Sequence, residues 1–118
     1  MLEPGTSLFW EAVREARPDL VSTVSPWDRI VAPEALREMM KAAGVANAQI
    51  FAEEGRQPLR SPEDWWTIVM GSGFRWTVEQ LGREAARETR ARNLERIERH
   101  RIEAVETNAL FAIAWKEA

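Results

Sequence analysis

At 118 residues the chain has room for one domain (1–118) in which about two-thirds of the unfolded surface can be buried, and 45% hydrophobic with 30% charged residues excludes wholesale disorder. A net charge of −3 argues against general affinity for nucleic acid or an anionic membrane surface. With no cysteine and a single histidine, His100, neither disulfides, thiolate chemistry nor a His-rich metal site is expected.

In chain order, Leu2-Glu3-Pro4-Gly5 is a turn signal, after which Thr6 or Ser7 can cap a helix that runs to about residue 17 and stops at Pro18. Leu8, Phe9, Ala12, Val13 and Ala16 recur at spacings of three and four and give it one buried face. Residues 18–32 read as a connecting loop pinned by Trp27. A second helix is predicted from Pro33, whose ring suits the first helical position, to residue 43, with Gly44 as its stop. Residues 47–54 form a strand candidate, and 55–60 a loop.

The next helix has a clear start: Ser61 as N-cap, Pro62 at the first position, and Glu63 and Asp64 facing the helix dipole. It carries Trp65, Trp66, Ile68, Val69 and Met70 and ends at Gly71. After the Gly71-Ser72-Gly73 turn, Thr77 and Gln80 match a capping box, with Trp76 stapled on Leu81. That capping box predicts one long helix over 78–100, with a sparse apolar face of Leu81, Ala85, Leu94 and Ile97. Seven arginines fall between Arg83 and Arg101, but the interleaved Glu79, Glu84, Glu88, Glu95 and Glu98 neutralise them locally. Residues 104–116 are the clearest strand, with Val105, Thr107, Ala109, Phe111, Ile113 and Trp115 alternating onto one face.

For chemistry the inventory is thin. His100 lies between Arg99 and Arg101 in a solvated helix end, and the pair Glu63-Asp64 is better placed for helix capping than for acid-base work. Catalysis by this chain alone is therefore not expected. The stretch of Trp65, Trp66, Phe74, Arg75 and Trp76 is the candidate ligand site, since aromatic surface beside one cation suits a flat or apolar small molecule. The competing reading makes the tryptophans core. Arg75 can stack on a ring, bond a helix C-terminal carbonyl or hold a ligand.

These segments, taken together, resemble the C-terminal, substrate-side portion of Rossmann-like S-adenosylmethionine-dependent methyltransferases. Leu2-Glu3-Pro4-Gly5 is similar to the "L-x-P-G-G" turn before the fifth strand, although Thr6 stands where the second glycine usually is, and 33–44 to the helix that ends in "aGf". Residues 48–54 and 104–116 resemble the antiparallel pair that closes the sheet, and Ser61-Pro62-Glu63-Asp64-Trp65-Trp66 with Gly71-Ser72-Gly73-Phe74-Arg75 resemble a substrate-side helical insertion. The glycine-rich cofactor loop and the acidic residue after the second strand have no counterpart here. The resemblance thus implies a non-catalytic derivative. S-adenosylmethionine is expected only where a partner chain supplies that loop, as in the substrate-binding cap of a split enzyme.

The expected fold is α+β, a helix-rich single domain with a small antiparallel sheet from strands near 47–54 and 104–116. A lone two-stranded ribbon is marginal in water, so a homodimer is expected to complete it. The N-terminus lacks signal-peptide order, and no apolar run approaches the roughly 20 residues needed to cross a bilayer, so a cytoplasmic setting is expected.

Overall fold

The computed structural model describes residues 1–21 and 30–116. The chain is helix-rich α+β with small antiparallel ribbons, in the order α1 (Gly5–Ala16), α2 (Pro33–Ala42), β1 (Gln49–Glu53), β2 (Arg56–Pro58), α3 (Pro62–Met70), α4 (Phe74–Leu81), α5 (Arg83–Arg99), β3 (Ala104–Glu106) and β4 (Ala109–Ile113). A 3-10 turn, Pro18–Leu20, follows α1. Trp27, the expected pin of the next loop, lies outside the described residues. No helix among the described residues is long and apolar enough to cross a membrane.

Two compact units divide the chain, one of residues 1–22 and 56–107, the other of 23–55 and 108–118. In the first, α5 packs against α1, α3 and α4. Phe9 and Val13 of α1, Trp65 and Val69 of α3, Val78 and Leu81 of α4, Ile97 of α5 and Val105 of β3 form its core. β2 pairs antiparallel with β3, and β3 gains a further partner on its other side, where the Leu2 N–H donates to the Glu106 carbonyl (2.8 Å) and the Glu106 N–H to the Glu3 carbonyl (2.9 Å). In the second unit α2 packs against β1, and β1 pairs antiparallel with β4 in a register that sets Phe51 opposite Phe111 and Gln49 opposite Ile113.

Several sequence expectations are corrected by this architecture. Neither Thr6 nor Ser7 caps α1 with its side chain; the helix starts at Gly5, and the Ser7 N–H donates instead to the Glu3 carboxylate (3.1 Å). The long helix expected over 78–100 is two helices. Gly82, at φ 82°, ends α4 and starts α5 in a backbone region that glycine enters at little cost. Because α4 begins at Phe74, Thr77 lies inside the helix and is buried, so it cannot serve as a cap, and Trp76 stands 63% exposed rather than stapled on Leu81. The face that α5 buries is Thr89, Asn93 and Ile97, two of them polar, with Ala85 and Leu94 only half-buried.

The strand expected over 104–116 is broken at Thr107-Asn108 into β3 and β4, which belong to different ribbons. The loop expected over 55–60 contains β2. Other signals hold as read: Gly44 (φ 92°) closes α2, Pro62 opens α3 behind Ser61, and 49–53 is a strand.

Candidate functional site

The five residues of the aromatic stretch are placed by α3, α4 and the Gly71-Gly73 turn between them. Trp65 is fully buried at the centre of the first unit. One side of its indole meets Gly5, where a Cβ would stand 2.6 Å from Cζ3, and its Nε1–H donates to Asn93 Oδ1 at 2.8 Å. A buried indole N–H needs such a partner. Asn93 therefore explains why α5 turns a polar residue inward. Phe74, half-buried at the start of α4, stacks near Phe9 (ring centroids 4.9 Å), Trp10 (6.0 Å) and Trp65 (6.4 Å), while Trp66 lies 6.5 Å from Phe9.

The structure thus gathers Trp65, Trp66 and Phe74 into one aromatic cluster around Phe9. It does not bring Arg75 and Trp76 into that cluster. Arg75 is on the exposed side of α4, where its Nε donates to Glu79 Oε1 at 2.9 Å, a helical i,i+4 pair. What its geometry displays is a surface ion pair, which is none of the three roles read for Arg75 from the sequence. Trp76 projects from the same surface.

An open cleft of about 410 Å³ lies on another side of α3, lined by Gln57, Pro58, Leu59, Arg60, Asp64, Thr67 and Ile68. Its charged rim is held by one carboxylate. Asp64 accepts from the Arg60 N–H (2.8 Å) and from Arg60 Nε (3.1 Å), so the residue expected to face the α3 dipole also fastens the approach to the helix. Those bonds, the side-chain one first, hold the Asp64 carboxyl below its usual range and raise Arg60. Arg17 and Asp19 form a similar pair after α1, with the same directions of shift.

A third feature is the β1–β4 ribbon. Cross-strand neighbours Phe51 and Phe111, with Ile113 beside them and Trp115 beyond the strand end, are each 46–64% exposed. None of the described residues of this second unit is buried, Ile50 and Leu110 being half-buried on the opposite face. Among the described residues each strand of the ribbon has one strand neighbour, so each leaves one edge unpaired.

Sequence reasoning missed Asn93, the Gly5–Trp65 contact, the cleft and the exposed aromatic pair. Signals existed for some of them. Thr89, Asn93 and Ile97 recur at i,i+4, a stripe of uncharged residues on an otherwise charged helix that marks a buried face, and Arg60–Asp64 shows the same spacing across a helix start. Set against known proteins, the chain matches no family model, no curated protein and no solved structure.

Proposed function

We propose that this chain is a non-catalytic, self-associating module of the cytoplasm, derived from the substrate-side part of a methyltransferase, whose role is to hold two copies together. The observation that carries this reading is the β1–β4 ribbon: five-residue strands, no buried residue in its unit among those described, and large apolar side chains facing solvent. A two-stranded ribbon of that kind is marginal alone, and contiguous exposed apolar surface on a small protein marks an association site. The candidate acid-base groups have other occupations: Asp64 is engaged by Arg60, and His100 sits exposed at the end of α5.

Sedimentation velocity across the micromolar range tests the reading. A concentration-dependent rise from the monomer to the dimer mass is expected, and a monomer throughout overturns it. Cofactor dependence on a partner chain is tested by calorimetry with S-adenosylmethionine, where the isolated chain should give no binding heat.

A second reading, binding of an apolar or aromatic small molecule, draws on the 410 Å³ cleft, whose volume falls in the range of about 300–1,000 Å³ typical of ligand sites. It takes an aromatic carboxylate to Leu59 and Ile68, with Arg60 at the rim. A saturable change in tryptophan fluorescence that weakens in Arg60→Ala would support it; a flat titration would remove it.

A further inference from the structure

We propose that the two copies join edge to edge through β4, antiparallel about a two-fold axis at Phe111, forming one four-stranded sheet in the order β1, β4, second-copy β4, second-copy β1. This rests on the self-association reading above and adds to it the strand, the register and the residues in contact.

The choice of strand follows from charge. Proteins blunt exposed strand edges with charges, prolines or bulges. β1 carries Glu53 and is followed by Glu54, whereas no charged or proline residue occurs from Thr107 to Trp115. In a chain of net charge −3, two copies repel one another in general. The β4 edge brings no charged side chain to such a seam, whereas the β1 edge would bring Glu53 and Glu54 from both copies.

Register follows from length and shape. With the axis at Phe111, all five residues of β4 pair with all five of the second copy: Ala109 faces the second copy's Ile113, Leu110 faces its Ala112, and Phe111 faces itself. Each flanking pair sets a small side chain against a large one. An axis shifted by one residue in either direction would move the ladder past the strand ends, onto Asn108 or Ala114. Because Phe51 already lies opposite Phe111, the pairing lines up Phe51, Phe111 and the second copy's Phe111 and Phe51 in one row across the sheet, a favourable cross-strand arrangement.

The size of the contact sets its strength. The exposed parts of Phe51, Phe111, Ile113 and Trp115 amount to roughly 300–400 Å² of apolar surface per copy, taking about 150–250 Å² for a whole aromatic side chain. Side-by-side pairing covers only the flanks of these groups together with the backbone edge. The interface therefore falls below the roughly 1,200 Å² at the lower limit of stable complexes, which makes the dimer weak and concentration-dependent.

The experiment uses the full chain, which has no native cysteine. Phe111→Cys should cross-link to a disulfide-bonded dimer under mild oxidation, and Arg90→Cys on the exposed side of α5 should not. Phe111→Lys sets two cations face to face and should weaken the dimer on the order of a hundredfold, with an unchanged helical circular dichroism spectrum because Phe111 is half exposed in the monomer. An equal mixture of Phe111→Lys and Phe111→Glu should restore the dimer. If the wild-type chain dimerises yet Phe111→Cys does not cross-link and Phe111→Lys dimerises normally, the β4 edge is the wrong surface while self-association stands. A wild-type monomer overturns both.

Discussion

Trp65 is held by two unlike neighbours: a glycine that lets its ring come close to the start of α1 and an asparagine that takes its N–H. Both make sharp tests. Gly5→Ala drives a methyl into the ring and should cost about 1–3 kcal/mol, read by urea unfolding. Asn93→Ala leaves a buried indole donor without a partner and should cost about 1–3 kcal/mol. Thr89→Val makes the contrast. Its hydroxyl is buried and finds no partner among the described residues, so its removal should be neutral or mildly stabilising. Trp76→Ala, at an exposed position, should change stability by less than about 0.5 kcal/mol. That one of Trp65 and Trp66 is core was legible in their adjacency on a short apolar helix, but not which of them, and the same expectation for Trp76 fails because it stands exposed. Asn93 was harder to read: it shares an i,i+4 stripe with Thr89 and Ile97, but an asparagine among arginines and glutamates reads as solvated until α1 and α3 are known to cover it.

At the scale of elements, starts and stops written in special residues were legible and breaks were not. Pro33, Gly44, Pro62 and Gly71 stand where the helix starts and stops were read; the two prolines and Gly44 do so by fixing a local backbone geometry, whereas Gly71 ends its helix at φ −94° and Ser61 holds the N-cap position without a side-chain bond. Gly82 also ended a helix, but the Thr77/Gln80 match to a capping box and the charged run beyond it supported a continuous reading. Gly82→Ala should cost about 1–3 kcal/mol. Nothing crowds the site, so any loss measures the strain of φ 82° in a residue with a Cβ. The alternation over 104–116 hid the break at Thr107-Asn108, which is fixed by pairing: β3 belongs with β2, β4 with β1, and the Gly55 N–H donates to Asn108 Oδ1 at 3.1 Å. The Arg60–Asp64 and Arg17–Asp19 links lower both aspartate pKa values on folding. Depressed carboxyls stabilise the fold at pH above their unfolded value, near 3.9, and that contribution is lost as pH falls through the folded values. Thermal melts of Asp64→Asn should therefore differ from wild type at neutral pH and converge with it in acid, a small effect because the partner Arg60 is exposed and the pair is screened by solvent.

For the whole molecule, composition and periodicity carried the α+β class, because helix stripes and strand alternation are local properties. The division into two units depends on which strand pairs with which, and sequence periodicity is silent on that. The consequence is an uneven distribution of stability. The first unit has the buried cluster from Phe9 to Val105; the second has no buried residue among those described. Amide exchange should be slow in α1, α3 and α5 and fast in α2, β1 and β4 at high dilution. Protection confined to β1 and β4 should rise with protein concentration under the proposed pairing. Uniform protection across both units would contradict this distribution.

Glu53 and Glu54 then acquire a second meaning. If two copies join along the uncharged strand as proposed, the ribbon edges left over among the described residues are those of β1, which carry Glu53 and are followed by Glu54, and a third molecule arriving there meets an acidic edge. Under the proposed pairing, growth would stop at a pair instead of propagating into a fibre, so replacing both glutamates by valine should convert a closed assembly into an open-ended one, visible as turbidity and thioflavin fluorescence.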